Sequence, residues 1–180
     1  SGTFLIEAAM IAFNQAPGLK RSFGFENWKD FDSALLEKIK SEYQAQIKPL
    51  GFSKIYGSDE DLRAIRVTKS NLEQAGLKIA VELSCQNFND IKAPSKEGVL
   101  ITNPPYGVRI GEDEDLAKAY PLWASTMKKK LSGWRTYFLT SDLRMPKLMR
   151  LSPSKKTPLY NGALDCRLFE IKMVAGSNRI

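Results

Sequence analysis

The sequence predicts an α/β fold with a mostly parallel sheet, helices on both faces and an antiparallel hairpin at its C-terminal end. Short β-branched, apolar runs such as Val99–Thr102 alternate along the chain with longer segments of helical periodicity. Such alternation is typical of parallel strands joined by helical crossovers. Near the end, two strand-like runs meet at Asn161–Gly162, a pair that favours a hairpin turn. No repeat or linker interrupts the 180 residues, so we expect one domain over residues 1–180.

Five segments have the apolar spacing of helices, and two of them carry end signals. Asp30 or Asp32 can cap the second helix, whose apolar residues stand at positions 35, 36, 39, 43 and 47. The third begins at Asp61 and stops before Gly76, a residue that favours helix ends. The predicted helices are Thr3–Phe13, Phe31–Lys48, Asp61–Ala75, Glu114–Leu131 and Asp142–Arg150.

Four strands and a terminal hairpin complete the predicted sheet. The strands are Phe52–Gly57, Ile79–Ser84, Val99–Thr102 and Trp134–Thr140, and the hairpin runs from about Pro158 to Val174. Ligands of such sheets gather at the carboxyl ends of the strands. Polar residues that directly follow a strand are therefore the candidates for a functional site.

Histidine is absent, which removes the commonest general base and the commonest zinc ligand. This excludes Ser-His and Cys-His chemistry and HExxH metal sites for this chain. The two cysteines, Cys85 and Cys166, lack CxxC spacing, and we expect Cys85 to be a core thiol. We therefore expect no metal and a reducing, cytoplasmic location. No run of about 18 apolar residues predicts a membrane span.

The net charge of +7 is concentrated in one segment. Between Thr126 and Tyr160 there are nine lysines and arginines but only one acid, Asp142. Such a run is either a solvated basic face or the footprint of a phosphate backbone. The candidate nucleic-acid contacts are Lys128, Lys129, Lys130, Arg144, Lys147, Arg150, Lys155 and Lys156.

The strongest motif is Asn103-Pro104-Pro105-Tyr106, which follows a predicted strand. Two prolines give a stiff turn that exposes carbonyl oxygens without competing N–H donors. Together with the side-chain oxygen of Asn103, these acceptors could hold an exocyclic amine in line with an electrophilic methyl group. Tyr106 could stack on a planar substrate. The alternative is a turn that ends the strand and whose asparagine caps the loop.

Three further stretches could bind a nucleoside cofactor. Asp59 ends a strand and can accept hydrogen bonds from both hydroxyls of a ribose, or it can simply cap a turn. Ser1, Gly2 and Thr3 resemble the end of a glycine-rich loop that feeds a helix, although three residues are a weak signal. Asn87 follows another strand and could meet the edge of an adenine ring, with Phe88 beside it, or could belong to a plain loop.

The chain resembles the class I S-adenosylmethionine-dependent methyltransferases of exocyclic amines. More narrowly, it resembles the bacterial THUMP-associated ribosomal RNA guanine-N2 methyltransferases, often labelled N6-adenine-specific DNA methylases. The resemblance covers essentially the whole chain and rests on SGTFLIEAAMIA (1–12), GSDED (57–61), NPPYGVRIG (103–111), TSDLR (140–144) and LYNGALDCRLFEI (159–171). It implies a Rossmann-like class I methyltransferase fold and S-adenosylmethionine as cofactor. It also implies Asn103, Pro104, Pro105 and Tyr106 as the catalytic motif. Asn103 would bind the cofactor as well, Asp59 would hold its ribose, and Ser1, Gly2 and Thr3 would end the cofactor loop.

Two departures from the family pattern shape the expected domain organisation. The family loop reads D-P-x-C-G-S-G-T, whereas this chain begins at its Ser-Gly-Thr. The first, central strand and an upstream THUMP RNA-binding domain are therefore expected to lie outside the 180 residues. We expect the fragment alone to bind cofactor weakly and to be inactive. At Asn87 the family often carries an aspartate that contacts the adenine amino group, and an asparagine oxygen can accept the same hydrogen bond.

The resemblance implies methylation of guanine N2 in 23S ribosomal RNA, with the target base flipped out of its stack. The basic segment would then hold the RNA backbone, and large-subunit ribosomal RNA would be the partner. Two alternatives stay open. The same motif serves methylation of adenine N6 in DNA or RNA and of a glutamine amide in protein. A non-catalytic RNA-binding module that kept the fold is the third possibility.

Overall fold

The computed structural model describes residues 2–49, 55–104 and 112–174, of which 112–114 are described by their backbone only. The chain forms two compact units, residues 1–86 and residues 87–180. Each unit has its own sheet and its own apolar core.

The first unit contains a two-stranded parallel sheet and three helices. Strands β1 (Ile55–Asp59) and β2 (Val81–Cys85) pair so that Ile55 lies opposite Val81. The helices are α1 (Thr3–Ala12), α2 (Ser33–Ala45) and α3 (Leu62–Ala75). Both predicted end signals of α3 are confirmed, because the Asp61 carboxylate accepts the Arg63 N–H at 2.8 Å and Gly76 ends the helix with φ +74°.

Helix α2 begins and ends inside its predicted range, but its predicted apolar face is not buried. Asp32 caps the helix by accepting the Leu35 N–H at 2.9 Å. Leu35 and Tyr43 are nevertheless 53% and 48% exposed. The core of this unit is built by residues of α1, α3 and the strands, and Ile47, which follows the helix, packs against it. The apolar residues of α2 are therefore not part of the described core of this unit.

The second unit contains a four-stranded mixed sheet in the order β3-β4-β6-β5. Strand β3 (Val99–Thr102) is parallel to β4 (Arg135–Thr140), and β6 (Leu164–Lys172) is antiparallel to both β4 and β5 (Lys155–Asn161). The predicted C-terminal hairpin is thus confirmed, and it turns after Asn161 as expected. Pro158 lies in β5 at the edge of the sheet, where a missing N–H is tolerated.

Two helices pack on this sheet, α4 (Glu112–Lys130) and α5 (Met145–Met149). The apolar side predicted for α4 is confirmed, since Tyr120 and Met127 are fully buried with Phe138 of β4 and Phe169 of β6. These four large side chains, removed from water, contribute on the order of 10 kcal/mol before the cost of ordering them.

Several element ends and one cysteine differ from the expectations. Strand β1 is described from Ile55 onward, and residues 52–54 lie outside the described part of the chain. Strand β2 begins two residues late because residues 78–80 form a 3-10 turn. Helix α5 begins at Met145 because Asp142 forms a turn. Cys85 is exposed at the end of β2, so its assignment as a core thiol is wrong, whereas Cys166 is buried.

A tight turn at Gly133, just before β4, contacts the segment that enters β3 and the segment that follows β6. Gly133 has φ +86°, and its N–H donates to the Met173 carbonyl at 2.7 Å. A Cβ at this position would lie 2.8 Å from the Lys96 carbonyl oxygen, on the segment that enters β3. The turn therefore requires glycine for its left-handed backbone and for the close approach of another chain segment.

The turn after β4 is held by Asp142, whose side chain is only 7% exposed. The Asp142 N–H donates to Thr140 Oγ1 at 3.0 Å, and its carboxylate accepts the Arg144 N–H at 2.9 Å. The Arg144 guanidinium adds two hydrogen bonds to the same carboxylate, at 2.9 and 3.0 Å. These hydrogen bonds from Arg144 hold the pKa of Asp142 below its usual value, against the opposing effect of burial.

We expect Gly133→Ala to lower the free energy of unfolding by about 2 to 3 kcal/mol, because it adds both backbone strain and a clash with a carbonyl oxygen. The matched control is Gly162→Ala, which has φ +61° but no atom within 4 Å of its Cβ. That variant should lose only about 1 kcal/mol. Urea unfolding of both variants measures the difference, and equal losses would mean that the Lys96 carbonyl contact has no energetic weight.

We expect Asp142→Asn to be less stable than the natural chain by about 1 to 2 kcal/mol at pH 7. Since the folded-state pKa of Asp142 is lowered, its contribution is complete above the unfolded pKa of about 4 and is lost as pH falls through the folded pKa. The gap between the two proteins should therefore shrink below about pH 4. Urea unfolding from pH 7 downward measures it. The control Asp115→Asn, at an exposed ion pair, should change stability by less than about 0.5 kcal/mol.

Candidate functional site

The predicted site residues divide between the two units. Gly2, Thr3 and Asp59 belong to the first unit, whereas Asn87, Asn103, Pro104 and all eight basic residues belong to the second. Ser1, Pro105 and Tyr106, which the sequence also predicts as site residues, lie outside the described residues.

Asn103 directly follows β3, at the carboxyl edge of the second unit's sheet. Because Thr102 pairs with Phe138, the parallel neighbour β4 extends two residues further along this edge, to Thr140. Asn103 is exposed and Pro104 is buried, so the asparagine projects from a strand end that the proline anchors. This is the position that the sequence predicts for an acceptor of an amine.

The hairpin brings an ion pair to the same edge. Strand β6 runs antiparallel to β4, which places Arg167 opposite Thr140. The Arg167 guanidinium donates to the Asp165 carboxylate and to the Cys166 carbonyl, and Asp165 raises the pKa of Arg167. Sequence reasoning did not single out Asp165 or Arg167, because the register that aligns them with β4 has no local sequence signal.

In the first unit, Asp59 is the last residue of β1 and is exposed. One of its carboxylate oxygens accepts the Asp61 N–H at 2.9 Å, which orients the group. Among the described residues, no hydrogen bond reaches its second oxygen. An oriented, exposed carboxylate at the end of a parallel strand has the acceptors that two vicinal hydroxyls require.

Glycines let α1 lie close to the strand that carries Asp59. A Cβ on Gly57 would lie 2.4 Å from Leu5 Cδ1, so the glycine permits the close approach of α1. Gly2 precedes α1 with φ +71°, and a Cβ there would lie 2.3 Å from Thr68 Cγ2. The left-handed backbone at Gly2 fits the predicted end of a glycine-rich loop.

Asn87 and Phe88 have structural partners. The Asn87 side-chain oxygen caps a 3-10 turn by accepting the Asn89 N–H at 2.9 Å. The Phe88 ring packs against Trp123 and Phe138, with centroids 5.2 and 6.4 Å apart. Phe88 therefore belongs to the edge of the core, whereas Asn87 is exposed.

The eight basic residues have different surroundings. Lys130 donates to the Asn89 carbonyl at 2.8 Å, and Arg144 is held by Asp142. A cleft between α4 and α5 is lined by four cations, namely Lys128, Arg144, Lys147 and Arg150. The remaining three, Lys129, Lys155 and Lys156, are exposed and do not line this cleft.

Two further observations bear on the kind of site. Within the described residues, no group of three or more Cys, Asp or Glu side chains could hold a metal ion. In the same part of the chain, no helix is both long enough and apolar enough to span a membrane.

Comparison with curated proteins points to ribosomal RNA methyltransferases. The protein named "Ribosomal RNA large subunit methyltransferase K/L" of Shewanella sp. (strain W3-18-1) is 40% identical over 184 residues. The match covers 99% of this chain and 26% of that protein. The chain thus spans about a quarter of the length of the curated relatives it matches.

Comparison with solved structures finds neighbours with the fold of methyltransferases. SMU.472, which was crystallised with SAH, has a TM-score of 0.89 and is 35% identical, over 96% of this chain and 45% of its own. A Listeria monocytogenes protein described as "a predicted N6-adenine-specific DNA methylase" has a TM-score of 0.84 and is 29% identical, over 96% of this chain and 44% of its own.

These matches confirm the predicted Rossmann-like class I fold and S-adenosylmethionine as the cofactor of the family. A family model described as "RMKL-like, methyltransferase domain" matches residues 1–170. Since this match covers nearly the whole length, the chain belongs to the RMKL-like methyltransferase domain family.

Proposed function

We propose that the chain is the catalytic part of an S-adenosylmethionine-dependent methyltransferase that modifies guanine N2 in large-subunit ribosomal RNA. The observation that carries the proposal is Asn103, exposed at the carboxyl end of β3 and followed by a buried proline. The name of the Shewanella relatives supports ribosomal RNA as the substrate, and the predicted resemblance supports guanine N2. We place this reaction in the cytoplasm, where ribosomal RNA is modified in bacteria.

The proposed chemistry needs hydrogen-bond acceptors rather than a general base. An exocyclic amine is a poor nucleophile because its lone pair is delocalised into the ring. The Asn103 oxygen and the carbonyl of the Pro104 turn accept the two N–H bonds and hold the nitrogen in line with the methyl group. A nitrogen–carbon bond forms as the sulfur–carbon bond of the donor breaks, and the alkylated nitrogen then releases its extra proton to water.

The cofactor would be held mainly by residues of the first unit. S-adenosylmethionine supplies an activated methyl group when it is bound. The Asp59 carboxylate accepts the ribose hydroxyls, and Gly2 and Thr3 line the end of the cofactor loop at the start of α1. Asn87, whose side-chain oxygen accepts the Asn89 N–H, would lie at the edge of the adenine. These residue types fit the polar groups of the cofactor.

The two sheets support the expected domain organisation. Among the described residues, β1 pairs only with β2, and β3 pairs only with β4. An unpaired edge strand leaves a row of backbone donors and acceptors that a further parallel strand can satisfy. We propose that a strand outside the 180 residues pairs at such an edge, and that an upstream RNA-binding region completes the enzyme.

Adenine N6 is the second candidate target. The Listeria neighbour is described as an N6-adenine-specific DNA methylase, and the Asn103 acceptors suit either exocyclic amine. The basic cluster fits a polyanion and gives no support to methylation of a protein amide. Mass spectrometry of digested nucleosides separates the two amines, because N2-methylguanosine and N6-methyladenosine differ in mass and retention.

We expect Asn103→Ala in the full-length protein to reduce methyl transfer to unmodified ribosomal RNA by at least about 100-fold, because a positioned hydrogen bond in the reacting complex is lost. RNA affinity should stay within about threefold. Nucleoside mass spectrometry measures the product, and fluorescence anisotropy measures RNA binding.

Asn27→Ala is the control for this variant. Asn27 is an exposed asparagine of the first unit, and its side chain makes one long hydrogen bond, of 3.5 Å, to the Gly24 carbonyl. Its methyl transfer should stay within about twofold of the natural protein, as expected for a surface change. If Asn103→Ala keeps full activity, the proposed role of the asparagine is wrong. If the natural protein transfers no methyl group to any nucleoside but binds RNA, the binding-module alternative replaces the proposal.

We expect Asp59→Asn to weaken S-adenosylmethionine binding by at least about tenfold, because a charged acceptor of the ribose hydroxyls is lost. The amide oxygen can still accept the Asp61 N–H, so the turn should survive. Isothermal titration calorimetry on the full-length protein measures the dissociation constant. Glu60→Gln, at the next residue, is the control and should change it by less than about twofold. Equal affinity of Asp59→Asn and the natural protein would remove Asp59 from the cofactor site.

A further inference from the structure

The cleft between α4 and α5 is a two-walled surface whose cations come from both helices. On α4, the lining residues Pro121, Ala124, Ser125 and Lys128 follow helical spacing and form one face. The opposite wall consists of the segment from Arg144 to Arg150, which contains α5. The cleft has a volume of about 930 Å³ and lies entirely within the second unit.

The chemistry of the cleft is a basic rim over an aliphatic floor. The cations are Lys128 on one wall and Arg144, Lys147 and Arg150 on the other. The floor consists of the lining residues that are buried or half-buried, namely Ala124, Leu148 and Met149, and Pro121 is exposed beside it. No acidic side chain is among its described lining residues, and the acid nearest in sequence, Asp142, is already paired with Arg144. Lys128, Lys147 and Arg150 have no ion pair with a described residue.

Two of the cations, Arg144 and Arg150, differ in what the structure shows of their geometry. Asp142 binds Arg144 through two hydrogen bonds, so this guanidinium lines the cleft from a fixed position. Arg150 ends α5 with φ +51° and ψ +48°, a left-handed conformation that glycine adopts at lower cost. This conformation ends α5, because it lets the Arg150 and Leu151 N–H groups donate to the Lys147 and Pro146 carbonyls.

We propose that this cleft binds the phosphodiester backbone of the RNA substrate, with phosphates between the two basic walls and a sugar on the aliphatic floor. This inference rests on the proposed function, which supplies RNA as the partner. Cations on both walls suit a chain of phosphates, which can be contacted from two sides along its length. The proposal assigns two roles to the predicted basic segment. The cations of the cleft contact phosphates directly, whereas Lys129, Lys155 and Lys156 would contribute only long-range electrostatic attraction to the RNA.

The test compares two triple variants of the full-length protein with the same change in charge. Lys128→Gln, Lys147→Gln and Arg150→Gln remove three cations of the cleft, and Lys129→Gln, Lys155→Gln and Lys156→Gln remove three cations outside it. All six side chains are exposed, and glutamine at position 150 keeps the left-handed strain of an L-residue. Thermal unfolding midpoints verify that both variants are folded.

The probes are a fluorescein-labelled single-stranded RNA of about 16 nucleotides and the DNA of the same sequence. We expect the cleft variant to bind the RNA at least about tenfold more weakly at 0.1 M salt, whereas the control loses less than about threefold. Between about 50 and 200 mM salt, the slope of log affinity against log salt should fall by about 2 to 3 in the cleft variant, since each lost phosphate contact removes about 0.7 to 0.9. Equal losses in the two variants, or binding of DNA alone, would overturn the proposal.

Methyl transfer by the same proteins separates this inference from the proposed function. We expect the cleft variant to raise the KM for ribosomal RNA about tenfold or more and to leave kcat within about twofold, because the replaced residues lie outside the catalytic motif. If the cleft variant is active and its KM for ribosomal RNA is unchanged, the proposed RNA binding by the cleft is wrong and the proposed function is unaffected. A natural protein that binds RNA through the cleft but transfers no methyl group would overturn the proposed function and leave the cleft intact.

Discussion

Strand β4 is the constraint on which the second unit depends, because it pairs with a strand on each of its sides. Its parallel pairing with β3 places Asn103 at the carboxyl edge, and its antiparallel pairing with β6 places Arg167 at the same edge. Thr136, fully buried in β4, adds a side-chain hydrogen bond to the Ile171 carbonyl at 3.2 Å. A slip of one residue would turn Phe138 out of the core, so the register is strongly specified. Residues far apart in sequence therefore meet at one edge.

The same core also determines which side chains of α4 and α5 face outward. Tyr120 and Met127 of α4 and Met145 and Met149 of α5 are buried, so the rotation of both helices about their axes is set. Given that rotation, Lys128 and Lys147 must emerge where the two helices approach each other. The basic cleft is thus a consequence of apolar packing, and no attraction between the cations is needed to form it.

Local sequence signals made much of the fold predictable. The features that could not be predicted depend on long-range contacts. The bounds of β3, the Asp61 cap and the Gly76 end of α3 follow from residues within one turn or one strand. The exposure of Cys85, and that of Leu35 and Tyr43 in α2, depends on long-range contacts that sequence periodicity does not contain. The site shows the same division. Asn103 at a strand end could be predicted from its motif, whereas the alignment of Arg167 with it required the register of β6.

The eight basic residues show why a count of charges predicts an interface only coarsely. A cation can gain free energy from a phosphate only to the extent that its donors are not already used within the protein. Lys130 donates to the Asn89 carbonyl and so helps to fix the 3-10 turn onto α4. Arg144 gives two hydrogen bonds to Asp142, which hold its guanidinium in a fixed position at the cleft. The left-handed backbone of Arg150 costs an L-residue roughly 1 kcal/mol, and it caps α5 because the Arg150 and Leu151 N–H groups donate to the Lys147 and Pro146 carbonyls. The helix end therefore determines the backbone at this position, and the guanidinium, which has no ion pair with a described residue, remains available to a polyanion.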